Sequence, residues 1–89
     1  MVTSIILLNV KRDKVNEIAE QLADTSGVSE VYSVTGIYDL VAVVRVNSND
    51  ELAELVTGAL LKIEGIEKTD TMLAFKAYSK HDLEAMFAI

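Results

Sequence analysis

Residues Val31 to Val46 read Val-Tyr-Ser-Val-Thr-Gly-Ile-Tyr-Asp-Leu-Val-Ala-Val-Val-Arg-Val. Two β-type runs flank a short connection, Thr35-Gly36-Ile37-Tyr38-Asp39. β-Branched residues suit a pleated chain, and glycine with a nearby aspartate marks a turn. The second run, Leu40 to Val46, is apolar at almost every position. A hairpin with one wet face alternates apolar with polar residues, so this one is predicted to be covered on both faces. Its connection also carries an aromatic ring and a carboxylate, which a plain turn does not need.

Working outward, Val2 to Val10 is a short, apolar, β-branched strand. Asp13 is placed to cap a helix whose apolar positions, Val15, Ile18, Ala19 and Leu22, follow helical spacing. Gly27 ends that helix, and Val28 to Thr35 forms the second strand. After the third strand, Leu40 to Val46, Ser48 and Glu51 make a capping box. It opens a helix with Leu52, Leu55, Val56, Ala59, Leu60 and Ile63 on one face. Gly65 ends this helix, and Ile66 to Tyr78 holds the fourth strand. Ser79 and Asp82 resemble the cap of a last short helix with the stripe Leu83, Met86 and Phe87. The order β-α-β-β-α-β defines an α+β, ferredoxin-like fold with a four-stranded antiparallel sheet. Residues 1–78 are read as the domain and 79–89 as a C-terminal helical extension.

Both main helices have a single apolar stripe, so both belong on one face of the sheet. The other face is also apolar: Ile5 and Leu7 oppose Ile6 and Leu8, while Val41 and Val43 oppose Leu40, Ala42, Val44 and Val46. Exposed apolar patches of more than several hundred Å² are rare on monomers. Two sheets are therefore expected to pack face to face in a homodimer. A folded-back C-terminal helix is the alternative cover, but Leu83, Met86 and Phe87 are too few for four strands.

Composition narrows the function. With 89 residues the chain forms one small domain, and with no cysteine it has neither disulfides nor thiolate metal sites. A net charge of -6 argues against direct nucleic-acid binding, which needs a basic footprint. The stretch Ile5 to Leu8 is too short to span a membrane, so a soluble cytoplasmic protein is expected. No catalytic constellation is visible. His81 is the sole histidine and reads as a solvated or capping residue; no phosphate loop or dinucleotide fingerprint occurs. No cofactor and no metal are expected.

Two polar groups remain. In Thr35-Gly36-Ile37-Tyr38-Asp39, glycine and aspartate serve as ordinary turn residues, or else free amides beside Gly36 receive a ligand carboxylate while Asp39 meets an ammonium or holds the loop. In Thr69-Asp70-Thr71, polar residues interrupt the fourth strand, either as a solvated edge or as the lining of a small pocket. Together the groups have the donors and acceptors a zwitterion needs.

The string Val31 to Leu40, Glu64-Gly65-Ile66 and Thr69-Asp70-Thr71-Met72-Leu73-Ala74 resemble the amino-acid-sensing RAM domain of the Lrp/AsnC family. The most specific part is the Gly-x-Tyr-Asp hairpin combined with the Thr-x-Thr strand. The chain looks like a stand-alone RAM protein without the helix-turn-helix usual in that family. The resemblance implies a dimeric α+β barrel, further assembly of dimers (commonly four), and amino acids bound at dimer–dimer contacts. It carries ligand roles onto Gly36, Ile37, Tyr38, Asp39, Thr69 and Thr71, with Tyr32, Val34, Thr35 and Asp70 as neighbours.

The expected function is therefore a homo-oligomeric regulatory domain that binds a small amino acid. Ile37, Val34 and Leu73 point to an apolar one. It would act on, or co-assemble with, a full-length regulator or an enzyme. A small barrel enzyme of monooxygenase or isomerase type is the competing class, although its strands should carry polar residues facing a cavity. A ligand-free oligomerisation module is a third.

Overall fold

The computed structural model describes residues 1–78; the expected C-terminal helix and His81 lie outside them. Strand β1 spans Val2–Val10, helix α1 Val15–Ala23, β2 Val28–Ser33, β3 Leu40–Val46, helix α2 Asn49–Glu54 and β4 Ile66–Leu73. α2 continues as a π turn over Leu55–Ala59 and closes in a 3-10 turn over Leu60–Lys62. The sheet is antiparallel with strand order β2-β3-β1-β4, so β1 and β3 are central and β2 and β4 are edges. This is the ferredoxin-like arrangement expected from the element order.

Local chemistry accounts for the element ends. The Glu51 amide donates to Ser48 Oγ at 3.2 Å, and Glu51 Oε2 accepts from the Asn47 amide at 3.0 Å. The capping box therefore forms, with the carboxylate reaching one residue before the cap. Asp13 does not cap α1. It sits within a 3-10 turn, Arg12–Lys14, and no side chain bonds the first amides of α1. The chain instead enters the helix through the tighter turn, whose backbone bond runs from the Lys14 amide to the Lys11 carbonyl. β2 and β4 end earlier than expected, at Ser33 and Leu73. Past those residues one backbone bond remains on each edge, from the Val34 amide to the Asp39 carbonyl and from the Ala74 amide to the Thr3 carbonyl. Gly65 leaves α2 at φ +101°, and a Cβ there would stand 2.8 Å from Ile18 Cδ1. The left-handed conformation favours glycine there, and any Cβ would also push the Ile18 side chain aside.

The core lies between helices and sheet. Ile6, Leu8, Ile18, Leu22, Leu40, Val44 and Leu60 are buried, with Ala42 and Leu55 between them. Register puts one set of residues on the opposite face: Ile5 pairs with Val43 and Met72, and Leu7 pairs with Val41 and Asp70. No helix among the described residues covers that face. Ile5, Leu7, Val41 and Val43 shield one another to half burial, and Met72 and Tyr32 are about half exposed, at 47% and 50%.

Candidate functional site

The connection between β2 and β3 is held at its ends and open in its middle. The Val34 amide donates to the Asp39 carbonyl at 3.0 Å, closing the hairpin. The Asp39 amide donates to the Leu8 carbonyl at 2.9 Å, extending the β1–β3 ladder by one rung. Asp39 Oδ2 then accepts from the Val10 amide at 2.9 Å, and Asn9 Nδ2 donates to the Ile37 carbonyl at 2.7 Å. Asp39 is thus a clamp to β1, across 29 positions of sequence, rather than a local turn residue. Asn9 is not singled out by the sequence patterns. Its one signal is a side-chain amide directly after the aliphatic run Ile5 to Leu8.

Between these ties, the amides of Thr35, Gly36, Ile37 and Tyr38 donate no hydrogen bond among the described residues. Gly36 holds φ +112°, and a Cβ there would meet nothing within 4 Å. Its conformation, not crowding, is what favours glycine there. Ile37 is 83% exposed. Successive unpaired amides on an exposed loop present donors to an anion such as a carboxylate.

Tyr38 leaves the same loop in another direction. Its hydroxyl donates to Asp70 Oδ2 on β4. Asp70 pairs with Leu7 and so faces the open side of the sheet. The tyrosine therefore crosses β1 over that face. The carboxylate acceptor holds the Tyr38 proton and raises its pKa above 10.0. Tyr32, on the open face of β2, donates to Glu30 and is raised for the same reason. Arg45 Nη1 lies 3.9 Å from Glu30.

The Thr69-Asp70-Thr71 group is divided by the strand. Thr69 pairs with Leu8 and Thr71 with Ile6, on the helix side, while Asp70 points to the open face. A period of two makes this separation unavoidable. Thr69 lines a small apolar notch with Val56, Leu61, Ile63 and Ile66. Thr71 is exposed. Leu73 pairs with Ser4, four positions along β1 from the Leu8 level of the hairpin, or about 13 Å. Within one chain it does not surround the hairpin, contrary to the expectation that grouped it with Ile37 and Val34. Val34 and Thr35 are exposed at the end of β2. The structure therefore brings together Tyr38 with Asp70, and Asp39 with β1. It does not bring Thr71 or Tyr32 to the loop.

The structure thus combines a clamped hairpin loop with a sheet face that no helix among the described residues covers. The model of the Lrp/AsnC ligand binding domain matches residues 3–83. The chain belongs to that family. It is 34% identical over 79 residues to the HTH-type transcriptional regulator FL11 of Pyrococcus furiosus, covering 89% of this chain and 52% of the regulator. The chain thus spans about half the length of the curated relatives it matches. It is also similar to TTHA0845 from Thermus thermophilus, at 45% identity and a TM-score of 0.84, covering 90% of this chain and 100% of that one. A hypothetical protein, PHS023 from Pyrococcus horikoshii, matches at 33% identity and a TM-score of 0.81, with 92% and 99% covered. The described residues contain no helix-turn-helix, and none of their helices is long and apolar enough to cross a membrane.

Proposed function

We propose that this chain is a cytoplasmic, non-enzymatic regulatory domain that binds a small amino acid and works by self-association. The observation that supports the ligand most directly is the run of unpaired amides from Thr35 to Tyr38, held in place by Asp39 and Asn9. They suit a carboxylate. Gly36, Ile37, Tyr38 and Asp39 form the loop, with Thr35 and Val34 beside it; Thr69, Asp70, Thr71 and Tyr32 are the more distant members. Asp39 positions the loop through Val10, so the ammonium acceptor comes from its second oxygen or from another subunit.

The apolar face of Ile5, Leu7, Val41 and Val43 is the proposed homodimer interface, giving a dimeric α+β barrel. Dimers assemble further, with the amino acid between them. A ligand that binds one assembly better shifts the balance toward it, by no more than its differential affinity. Co-assembly with a full-length Lrp/AsnC regulator would then convey the amino-acid signal to a DNA-bound partner, without DNA contact by this acidic domain.

The experiment is a thermal-melt panel of the standard amino acids run beside sedimentation analysis. A ligand present at one hundred times its dissociation constant adds about 2.7 kcal/mol. That is expected to raise the melting temperature by roughly 4–8 °C per kcal/mol in a domain of this size. If no amino acid at millimolar concentration moves the melt, the sensor reading fails. If the protein sediments as a stable monomer, the sheet-pairing reading fails independently.

A further inference from the structure

The open sheet face carries two carboxylates, one on each edge strand, and they are satisfied in different ways. Glu30 of β2 pairs in register with Val43, and Asp70 of β4 pairs with Leu7, so both stand on the side of the uncovered apolar residues. Glu30 is served from its own edge: it accepts the Tyr32 hydroxyl, and Arg45 Nη1 lies 3.9 Å away. Asp70 makes no salt bridge among the described residues. The hydrogen bond its side chain accepts there comes from the Tyr38 hydroxyl. That donor belongs to the hairpin connection, 32 positions away in sequence. The backbone of the connection is tied at Val34, at the Ile37 carbonyl and at Asp39, while the amides of residues 35–38 are unpaired. Among the described residues, the Tyr38 side chain is the hydrogen-bonded link from this loop to the open face.

We propose that Tyr38 couples the hairpin loop to sheet pairing. By satisfying Asp70 it permits a second copy to cover the open face; a loop that withdraws Tyr38 strands the carboxylate and disfavours assembly. While the face is wet, water serves Asp70 and the tyrosine adds little. Once the face is covered, an ionised carboxylate without a partner is costly to bury, and the Tyr38 hydroxyl is the donor the chain itself supplies. Glu30 does not depend on the loop, because Tyr32 and Arg45 lie on its own side of the sheet. The two carboxylates therefore differ in one respect: only Asp70 reports the state of the hairpin. This inference rests on the homodimer reading above and adds a means of regulation to it. Coupling of this kind is reciprocal. Covering the face selects the loop conformation that presents Tyr38, and whatever holds the loop in that conformation favours pairing.

The test is a double-mutant cycle on association of the full chain, followed by sedimentation equilibrium without added ligand. Tyr38→Phe keeps the ring and removes only the hydroxyl. It is expected to raise the dimer dissociation constant at least about tenfold, because a buried charged acceptor is left unserved. Asp70→Asn is expected to stay within about threefold of wild type, since an amide is cheaper to bury than a carboxylate. In the Asp70→Asn background, Tyr38→Phe should then lose most of its effect. Tyr32→Phe, with Arg45 still beside Glu30, is expected to weaken association less than Tyr38→Phe does. Equal weakening by Tyr38→Phe in both backgrounds would show that the hydroxyl merely shapes the loop, and would overturn the coupling. An assembled wild type whose Tyr38→Phe variant associates equally well sinks this inference alone, since the covering surface then serves Asp70 itself. A wild type that sediments as a monomer removes the homodimer reading and the inference with it. A Tyr38→Phe chain that loses its circular dichroism assigns the hydroxyl to the monomer's own stability, which also counts against the proposal.

Discussion

The two faces of this sheet are built from the same kind of residue and meet different fates. On one, Ser4, Ile6 and Leu8 of β1 lie with Leu40, Ala42 and Val44 of β3 under two helices, and all are buried. On the other, Ile5 and Leu7 lie with Val41 and Val43, half-buried only by one another. Alternation in a strand says which residues share a face, not what covers it. The covered face holds the monomer together. The uncovered one is the face proposed for a second copy, and β4, an edge strand, adds Asp70 and Met72 to it.

The largest effects should separate these faces. Leu8→Ala is expected to cost about 2–5 kcal/mol in denaturant unfolding, since a buried leucine leaves a cavity. Leu7→Asp, one residue away, is expected to leave the monomer folded and to weaken association by roughly a hundredfold or more, because an unpaired carboxylate resists burial. The comparison breaks if Leu7→Asp unfolds the chain or leaves its sedimentation unchanged. Next in size is the hairpin clamp. Asp39→Ala strands the Val10 amide and is expected to cost about 1–3 kcal/mol, with Asp39→Asn milder because an acceptor oxygen remains. Equal melts for Ala and wild type would remove the clamp from the account.

Gly36→Ala should cost less, about 1–2 kcal/mol, because the penalty is conformational at φ +112° and nothing crowds the site. If it proves neutral, the loop relaxes freely and its amides are not preorganised. The smallest effect concerns pH. The folded-state pKa of Tyr38 is raised above its unfolded 10.0 by donation to Asp70. Its contribution is therefore fully present below pH 10 and is lost as pH rises through the folded value. Phenolate absorbance should show Tyr38 titrating later in wild type than in Asp70→Asn. Coincident curves would mean that the bridge over the open face does not form in solution.

Much of the fold was legible because hydrophobic period and capping chemistry are local. Residues spaced as Val15, Ile18, Ala19 and Leu22 form one stripe wherever the helix docks, and Ser48 with Glu51 opens a helix from within four residues. Asp13 failed as a cap because a 3-10 turn competes for the same segment, and such turns leave little trace in composition. The site was less legible. Gly36 and Asp39 were visible as turn residues, but the sequence could not choose between a turn and a receptor. The partner that decides the role of Asp39, the Val10 amide, is remote in sequence.

By itself, then, the sequence determined the element order, the two-sided apolar strands and the identity of the hairpin, since each follows from short-range spacing. Even the division of Thr69 and Thr71 from Asp70 is implicit in a two-residue period. Only the tertiary structure decided that Asp39 and Asn9 fasten the loop to β1, that Tyr38 reaches Asp70 across the open face, and that Leu73 lies away from the hairpin. Those relations depend on strand order and register, which are set by packing the whole chain at once.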